Sequence, residues 1–289
     1  MKSSAVKHLF ELNLATVFIS TSGALGKFID MPTPVIIWWR SALAIVFLFG
    51  FIKYRKIKFN LYSRREASVI LISGVLLGAH WITYFYALKL SNVAIGMLSL
   101  FSFPVITALL EPLFTKIKLD KVHILLGIMV LLGIFFLTPD FDIESSHVQG
   151  ILLGLLSAIL YALRIIISKQ LVAKYNGTLL MFYQLFILSI VLLPVLALMD
   201  TSNIETEWPF VLMLAFITTA LGHTMLIHSL KHFSGATASI ISSAQPVFGI
   251  IIAYFFLKEI PTIHTFLGGL IILATVIIES VRSRKPKVT

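Results

Sequence analysis

Apolar runs of about 20 residues alternate with short polar connections along the whole chain. A helix of that length crosses a hydrocarbon layer roughly 30 Å thick. The longest polar stretches leave no room for a folded soluble domain. The pattern therefore predicts an all-α integral membrane fold with ten transmembrane helices, at residues 9–29, 34–52, 67–87, 92–112, 121–138, 149–168, 178–198, 209–229, 235–256 and 262–280.

The second half of the chain repeats the first. Residues 84–131 match residues 226–273 without a gap at a constant offset of 142. The matched positions include Leu88-Lys89 with Leu230-Lys231, Pro104 with Pro246, Lys116 with Lys258, and Gly127 with Gly269. We predict a five-helix repeat over 5–138, a linker over 139–148, a second five-helix repeat over 149–281, and a basic cytoplasmic tail over 282–289.

Charge predicts the orientation of these helices. With the N-terminus inside, eighteen Lys and Arg residues fall in cytoplasmic segments, and only Lys27, Lys89 and Lys258 fall outside. Basic residues favour the cytoplasmic side, so both termini are expected there. Five helices per repeat is an odd number, which inverts the second repeat relative to the first. The three outside lysines agree, because each matches an inside lysine at the same offset: Lys169, Lys231 and Lys116.

Composition excludes several classes of function. The chain has 289 residues and a net charge of +10; 58% of its residues are hydrophobic and 12% charged, and its mean hydropathy is +0.98. The basic residues lie in short loops, so they favour topology signalling over nucleic-acid binding. There is no cysteine, Walker A motif, metal-ligand spacing or nucleophile elbow. We therefore expect no enzyme activity and no cofactor or metal.

Two prolines occupy equivalent places in the repeats, Pro104 in the fourth predicted helix and Pro246 in the ninth. Proline removes a helix hydrogen bond, and transporters place substrate sites at broken helices. Ser102 and Gln245 lie beside these prolines as candidate substrate contacts. The alternative is a packing kink with small polar residues that hold helices together.

Two arginines lie within apolar runs, where a charge is costly. Arg164 belongs to a polar stripe with Ser157, Tyr161 and Ser168 on one helical face, and such a stripe should face protein or water. Arg164 and Tyr161 are thus candidate substrate contacts, and Arg164 fits a carboxylate. A structural or snorkelling role is the alternative. Arg40 follows two tryptophans, so we expect it to be an interfacial anchor.

The third predicted helix carries His80, Trp81 and Tyr84, whose polar-tipped rings suit an amphipathic small molecule. His223 and Gln184 are the other polar candidates near the membrane midplane. For each of these residues a structural hydrogen bond is an open alternative. Either histidine is also a candidate proton relay.

The chain resembles the drug/metabolite transporter superfamily in its ten-helix form with two EamA domains. The resemblance rests on the paired repeats and on three motifs: Trp39-Arg40-Ser41-Ala42, Tyr86-Ala87-Leu88-Lys89, and the run from Gln245-Pro246-Val247 to Leu257-Lys258-Glu259. It covers about residues 9–281. It implies a bacterial inner-membrane carrier with a central cavity between the halves, often an exporter of amino acids or related metabolites.

We therefore predict a secondary transporter that exports a small metabolite by alternating access. Its expected partners are the substrate and membrane lipid, with no nucleic acid. A homodimer stays open, as do uptake of a related solute and drug or multidrug export. A membrane enzyme acting on lipid carriers would need clustered acids, and a receptor would need a soluble partner-binding segment; the sequence has neither.

Overall fold

The computed structural model describes residues 2–114, 119–137, 142–172, 174–229, 242 and 244–282. Helices are the regular elements formed by these residues. In chain order they are α1 Lys2–Phe28, α2 Thr33–Tyr54, α3 Arg64–Leu90, α4 Val93–Leu100, α5 Phe103–Phe114, α6 Lys121–Leu137, α7 Ser146–Val172, α8 Gly177–Leu192, α9 Val195–Leu198, α10 Ile204–Met213, a π-helix Leu214–His223, α11 Thr224–Ser229, α12 Gln245–Leu257 and α13 Ile263–Arg282.

Counting consecutive helical elements together, six helical segments of the described part are long and apolar enough to cross a membrane: Thr33–Tyr54, Arg64–Leu90, Val93–Phe114, Ser146–Ser168, Gly177–Leu198 and Ile204–Leu226. Three shorter apolar helices, Lys121–Leu137, Gln245–Leu257 and Ile263–Glu279, coincide with the predicted fifth, ninth and tenth spans. The start of the ninth predicted span lies outside the described residues. Ten crossings remain a prediction.

Side-chain caps define where three of the helices begin. The hydroxyl of Ser63 accepts the N–H of Glu66, and the side chain of Asn92 accepts the N–H of Ile95. Asn176 caps α8 in the same way through the N–H of Thr178. These caps satisfy N–H groups that lack a partner in the first turn of a helix. They fix helix starts in the polar connections, outside the apolar runs.

The fourth predicted span is broken into α4 and α5. Phe101 and Ser102 form the break, and Pro104 lies in the first turn of α5. A proline in a first turn loses no helical hydrogen bond, because its N–H would be unpaired there. Pro246 likewise lies in the first turn of α12.

The helices pack into two groups that interleave the halves of the sequence. In the first group α7 lies along α3, α4 and α5. In the second group α1 lies along the π-helix, α11 and α12. Each half therefore packs its first helix against later helices of the other half. The pairs α2 with α8 and α6 with α13 also join the halves.

Close polar contacts gather at two opposite ends of the bundle. At one end, the Lys27 end, Nζ of Lys27 lies 2.8 Å from Oε1 of Glu259 and donates to the carbonyl of Ser91 at 2.7 Å. The other carboxylate oxygen of Glu259 accepts the N–H of Val93 at 2.8 Å. These contacts tie α1 and the end of α12 to the start of α4, so they join the two packing groups.

The opposite end, the Lys174 end, is held by Lys174 paired with Glu66 at 2.7 Å and by Arg282 paired with Asp120 at 2.6 Å. The backbone N–H of Val122 and the guanidinium of Arg282 lower the pKa of Asp120. Its carboxylate is therefore ionised at neutral pH, and the contact between α6 and α13 is a charged one.

Candidate functional site

A cavity of about 380 Å³ lies between the two packing groups. Ligand sites in proteins commonly have volumes of this order. The walls are mostly apolar, and polar side chains from several helices converge on the space. The polar and aromatic lining consists of Ser22, Arg40, His80, Trp81, Tyr84, Phe101, Phe103, Tyr161, His223, Ser242 and Gln245.

One wall is a stack of rings centred on His80. The His80 ring lies 4.6 Å from the Tyr161 ring and 6.3 Å from the Tyr84 ring, nearly parallel to both. Phe103 meets Tyr161 edge-on at 4.7 Å. Such ring pairs add to the stability from apolar burial. The stack joins α3, α5 and α7 into a firm aromatic surface.

Ser157 on α7 holds His80 in place. Its hydroxyl donates to the backbone carbonyl of His80 at 2.9 Å, and Nδ1 of His80 lies 2.7 Å from the same hydroxyl oxygen. Because the hydroxyl has one proton, which it gives to the carbonyl, we assign Nδ1 as the donor. This tautomer leaves Nε2 of His80 as an acceptor. Within the predicted polar stripe of α7, Ser157 therefore contacts α3, whereas Tyr161 lines the cavity.

A second wall is built around Arg40. The guanidinium carbon of Arg40 lies 3.8 Å from the centre of the Trp81 ring, and the His223 ring lies 6.1 Å from the same ring. Nε of Arg40 donates to the hydroxyl of Thr219 at 2.7 Å, and Nη1 donates to Ser22 at 3.3 Å. The expectation that Arg40 is an interfacial anchor was wrong, because only 1% of its surface is exposed.

The depth of Arg40 follows from where α2 begins. The helix starts at Thr33, which is buried, so Arg40 lies seven residues, or roughly 10 Å, inside it. Trp38 donates to the carbonyl of Ser189 on α8, so one of the two neighbouring tryptophans packs between helices. The Trp beside Arg that suggested the membrane–water interface therefore makes a contact between α2 and α8.

The π-helix supplies the partner of Arg40. Thr218 and Thr219 are both fully buried, and both hydroxyls donate to the carbonyl of Leu214. A π-helix has wider turns than an α-helix and often marks a functional position. Here it places Thr219 against Arg40 and His223 at the cavity. Nothing in the local sequence signalled this element.

Arg164 and Gln184 lie behind the ring stack and do not line the cavity. Nη2 of Arg164 donates to Oε1 of Gln184 at 2.5 Å, and Nε2 of Gln184 donates to Ser73 at 2.8 Å. The guanidinium of Arg164 lies 5.8 Å from the Tyr161 ring. The chain of Arg164, Gln184 and Ser73 links α7, α8 and α3.

Of the remaining predicted site residues, seven line the cavity and two do not. His80, Trp81, Tyr84, Tyr161, His223, Gln245 and Pro104 line the cavity. Ser102 is fully buried, and its hydroxyl donates to the carbonyl of Ser99. Its side chain is therefore hydrogen-bonded within the break between α4 and α5. Pro246 is buried next to Gln245.

The sequence analysis missed that Ser22 and Arg40 line the cavity. It also missed Thr219, which accepts a hydrogen bond from Arg40. A signal was available for Arg40, because an arginine within an apolar run is costly wherever it lies. Applied equally to Arg40 and Arg164, that rule would have marked both as interior groups. Ser22 and Thr219 carry no such signal, because small polar residues are common at contacts between membrane helices.

Apolar helices long enough to cross a membrane, gathered around a cavity with charged and aromatic lining, define the class as a helical membrane transporter. The family model described as the EamA-like transporter family matches residues 9–138 and again residues 148–281. The chain therefore belongs to the EamA-like transporter family. It is a multi-pass integral membrane protein, and a transporter rather than an enzyme.

Similar proteins carry transporter names. The pseudopaline exporter CntI of Pseudomonas aeruginosa is 24% identical over 267 residues, which cover 91% of this chain and 92% of that protein. The S-adenosylmethionine uptake transporter of Rickettsia prowazekii is 29% identical over 139 residues, covering 46% of this chain and 47% of that protein. One protein crystal structure is similar with a TM-score of 0.67 and 16% identity, over 98% of both chains, which concerns the fold alone.

Proposed function

We propose that this protein is a secondary transporter that moves a small metabolite, an amino acid or a related compound, by alternating access to the central cavity. The observation that carries the proposal is the position of the cavity between two packing groups, each with side chains in its lining. A space shared in this way changes shape when the groups tilt relative to each other, which is the usual design of such carriers.

Helix directions support two inverted five-helix repeats. At the offset of 142, α6 corresponds to α13, and the start of α6 meets the end of α13 through Asp120 and Arg282. The start of α2 meets the later part of α8, its counterpart, through Trp38 and Ser189. Corresponding helices that run in opposite directions are what an inverted duplication requires.

The moving bodies in this proposal are the two packing groups and not the two halves of the sequence. α7 belongs with α3, α4 and α5, while α1 belongs with the π-helix and α12. The contacts of Lys27 with Ser91 and of Glu259 with Val93 cross between the groups. Opening the Lys27 end therefore requires these contacts to break.

The proposed location is a bacterial inner membrane with the Lys174 end in the cytoplasm. The basic excess of the loops at that end supports this orientation, with both termini cytoplasmic. Export is favoured over uptake, because the exporter relative is similar over 91% of this chain and the uptake relative over 46%.

Exchange across a membrane tests the function. We expect proteoliposomes preloaded with unlabelled leucine, phenylalanine or S-adenosylmethionine to accumulate the corresponding radiolabelled compound transiently for at least one of the three. Liposomes without protein should not accumulate any of them. If the rate of uptake of all three radiolabelled compounds equals that of liposomes without protein, the proposal is contradicted for this class of substrate.

A disulfide between the packing groups tests alternating access in a chain that has no cysteine. A Cβ at Gly23 on α1 would lie 3.1 Å from Cγ1 of Val93 on α4, so Gly23→Cys with Val93→Cys brings two thiols within bonding reach. We expect oxidation of this pair to abolish exchange in proteoliposomes and dithiothreitol to restore it.

The matched control pair lies within one packing group. A Cβ at Gly222 on the π-helix would lie 2.9 Å from Cγ1 of Ile19 on α1, so Ile19→Cys with Gly222→Cys joins helices that move together. Oxidation of this pair should leave exchange close to that of its reduced form. If the variant with Gly23→Cys and Val93→Cys still exchanges fully after oxidation, movement between the groups at the Lys27 end is refuted.

A further inference from the structure

Arg40 is a buried cation whose bonding capacity is only partly used. Its described hydrogen bonds employ Nε and Nη1, both to neutral hydroxyls. Among the described residues, Nη2 has no hydrogen-bond partner and Arg40 no carboxylate partner. The side chain lines the cavity with 1% of its surface exposed. A buried charge of this kind is stabilised when a counter-ion reaches it.

The guanidinium is held in a fixed orientation by its neighbours. The Trp81 ring lies under one face at 3.8 Å, while the hydroxyls of Thr219 and Ser22 accept hydrogen bonds from Nε and Nη1. These three contacts come from α3, α1 and the π-helix. A guanidinium fixed in this way is prepared for a two-point contact with a carboxylate, the geometry that arginine favours.

The charge around the cavity has one sign. Among the described residues that line it there is no aspartate or glutamate, and the other arginine in an apolar helix, Arg164, lies behind Tyr161. Arg164 already donates to Gln184 and is outside the lining. Arg40 is therefore the arginine that a substrate in the cavity can reach, and Arg164 adds a positive potential from behind the wall.

The wall formed by His80, Tyr84, Tyr161 and Phe103 suits an apolar body. We propose that the substrate is a small carboxylic acid with an apolar or aromatic body, whose carboxylate binds Arg40 while its body lies against this ring stack. Arg40 is then the residue that selects for negative charge, and Ser22, Thr219 and Trp81 position it. This inference rests on the cavity being the substrate site of the proposed transporter.

Binding to the purified full-length protein tests the inference with matched probes. Leucine, 4-methylpentanoate and leucinamide share one apolar body, as do phenylalanine, 3-phenylpropanoate and phenylalaninamide. We expect the carboxylates of at least one series to bind about tenfold or more tightly than the amide, the ratio that one charged hydrogen-bonded contact supplies. Dissociation constants come from the concentration dependence of the melting temperature.

Variants then assign the preference to a residue. Arg40→Gln should remove the preference for carboxylates, and Arg40→Lys, which keeps the charge without the fork, should weaken carboxylate binding about tenfold. Arg55→Gln is the matched control, because it makes the same change at an exposed arginine that caps α2. If Arg40→Gln does not fold, Arg40→Lys decides, and unchanged carboxylate affinity in that variant overturns the inference.

The other outcomes are equally decisive. A wild-type protein that binds no carboxylate more tightly than its amide overturns the inference, as does a preference that survives Arg40→Gln. Loss of the preference in Arg164→Gln with its retention in Arg40→Gln would also overturn it. Exchange of leucinamide without any carboxylate preference would leave the proposed transport intact. Arg40-dependent carboxylate binding without exchange would overturn the proposed transport, and would leave Arg40 as a carboxylate-binding residue of the cavity.

Discussion

Replacing Gln184 by Leu will lower the free energy of unfolding by about 2–3 kcal/mol. Oε1 of Gln184 accepts the hydrogen bond from Nη2 of Arg164, and Nε of Arg164 has no partner among the described residues. Among the described residues, the substitution therefore leaves the buried guanidinium only its weak contact from Nη2 to the Met181 sulfur at 4.0 Å. The measurement is reversible unfolding in mixed micelles of detergent and dodecyl sulfate.

Two further variants separate the charge from the rest of this polar chain. Ser73→Ala removes the hydrogen bond from Nε2 of Gln184 and the one that the Ser73 hydroxyl donates to the carbonyl of Ile70, but it keeps the contact of Arg164 with Gln184, and it should cost about 1 kcal/mol. Combining Arg164→Met with Gln184→Leu removes the charge together with its acceptor, so much of the lost stability should return. If Gln184→Leu costs no more than Ser73→Ala, Arg164 has another acceptor and the assignment is wrong.

Replacing Gly268 by Ala will destabilise the contact between α6 and α13 by about 1–3 kcal/mol. A Cβ at position 268 would lie 2.6 Å from the backbone carbonyl oxygen of Gly133. No side-chain rotation relieves a clash with backbone, so the two helices must move apart. Contacts between apolar helices in lipid depend on this kind of close approach by small residues. Unfolding in mixed micelles measures the loss.

Gly50 on α2 provides the matched control, because a Cβ there would have no neighbour within 4 Å. Gly50→Ala should stabilise the protein by up to about 1 kcal/mol through the higher helix propensity of alanine. The same change of residue thus has opposite signs at the two sites. Equal effects at Gly50 and Gly268 would mean that α6 and α13 do not approach closely.

The sequence predicts where chain segments cross the bundle better than where helices end. The tenth predicted span, 262–280, differs from α13 by one or two residues, because a long apolar run has sharp polar limits. α3 begins at Arg64, three residues before its predicted span, because Ser63 caps it in the polar connection. Hydropathy reports the apolar part of a helix, whereas hydrogen bonding decides its full length.

The site was harder to predict, for a reason visible at Arg40 and Arg164. In a helix that is apolar on nearly every side, the sequence does not indicate which face meets a neighbouring helix. Both arginines are in the interior, yet Arg40 faces the cavity and Arg164 faces α8. The aromatic candidates on α3 line the cavity as a group, because His80, Trp81 and Tyr84 are close in sequence and share one side of a helix.

The π-helix makes the two halves unequal. Residues 72–81, which correspond to Leu214–His223 at the offset of 142, are α-helical within α3. In a carrier whose halves were identical, the states open to either side of the membrane would have the same free energy. A difference of about 1.4 kcal/mol between them already gives a tenfold preference for one state. If access alternates as proposed, we expect this wide-turned segment to give the empty transporter an intrinsic resting orientation, before any solute gradient acts on it.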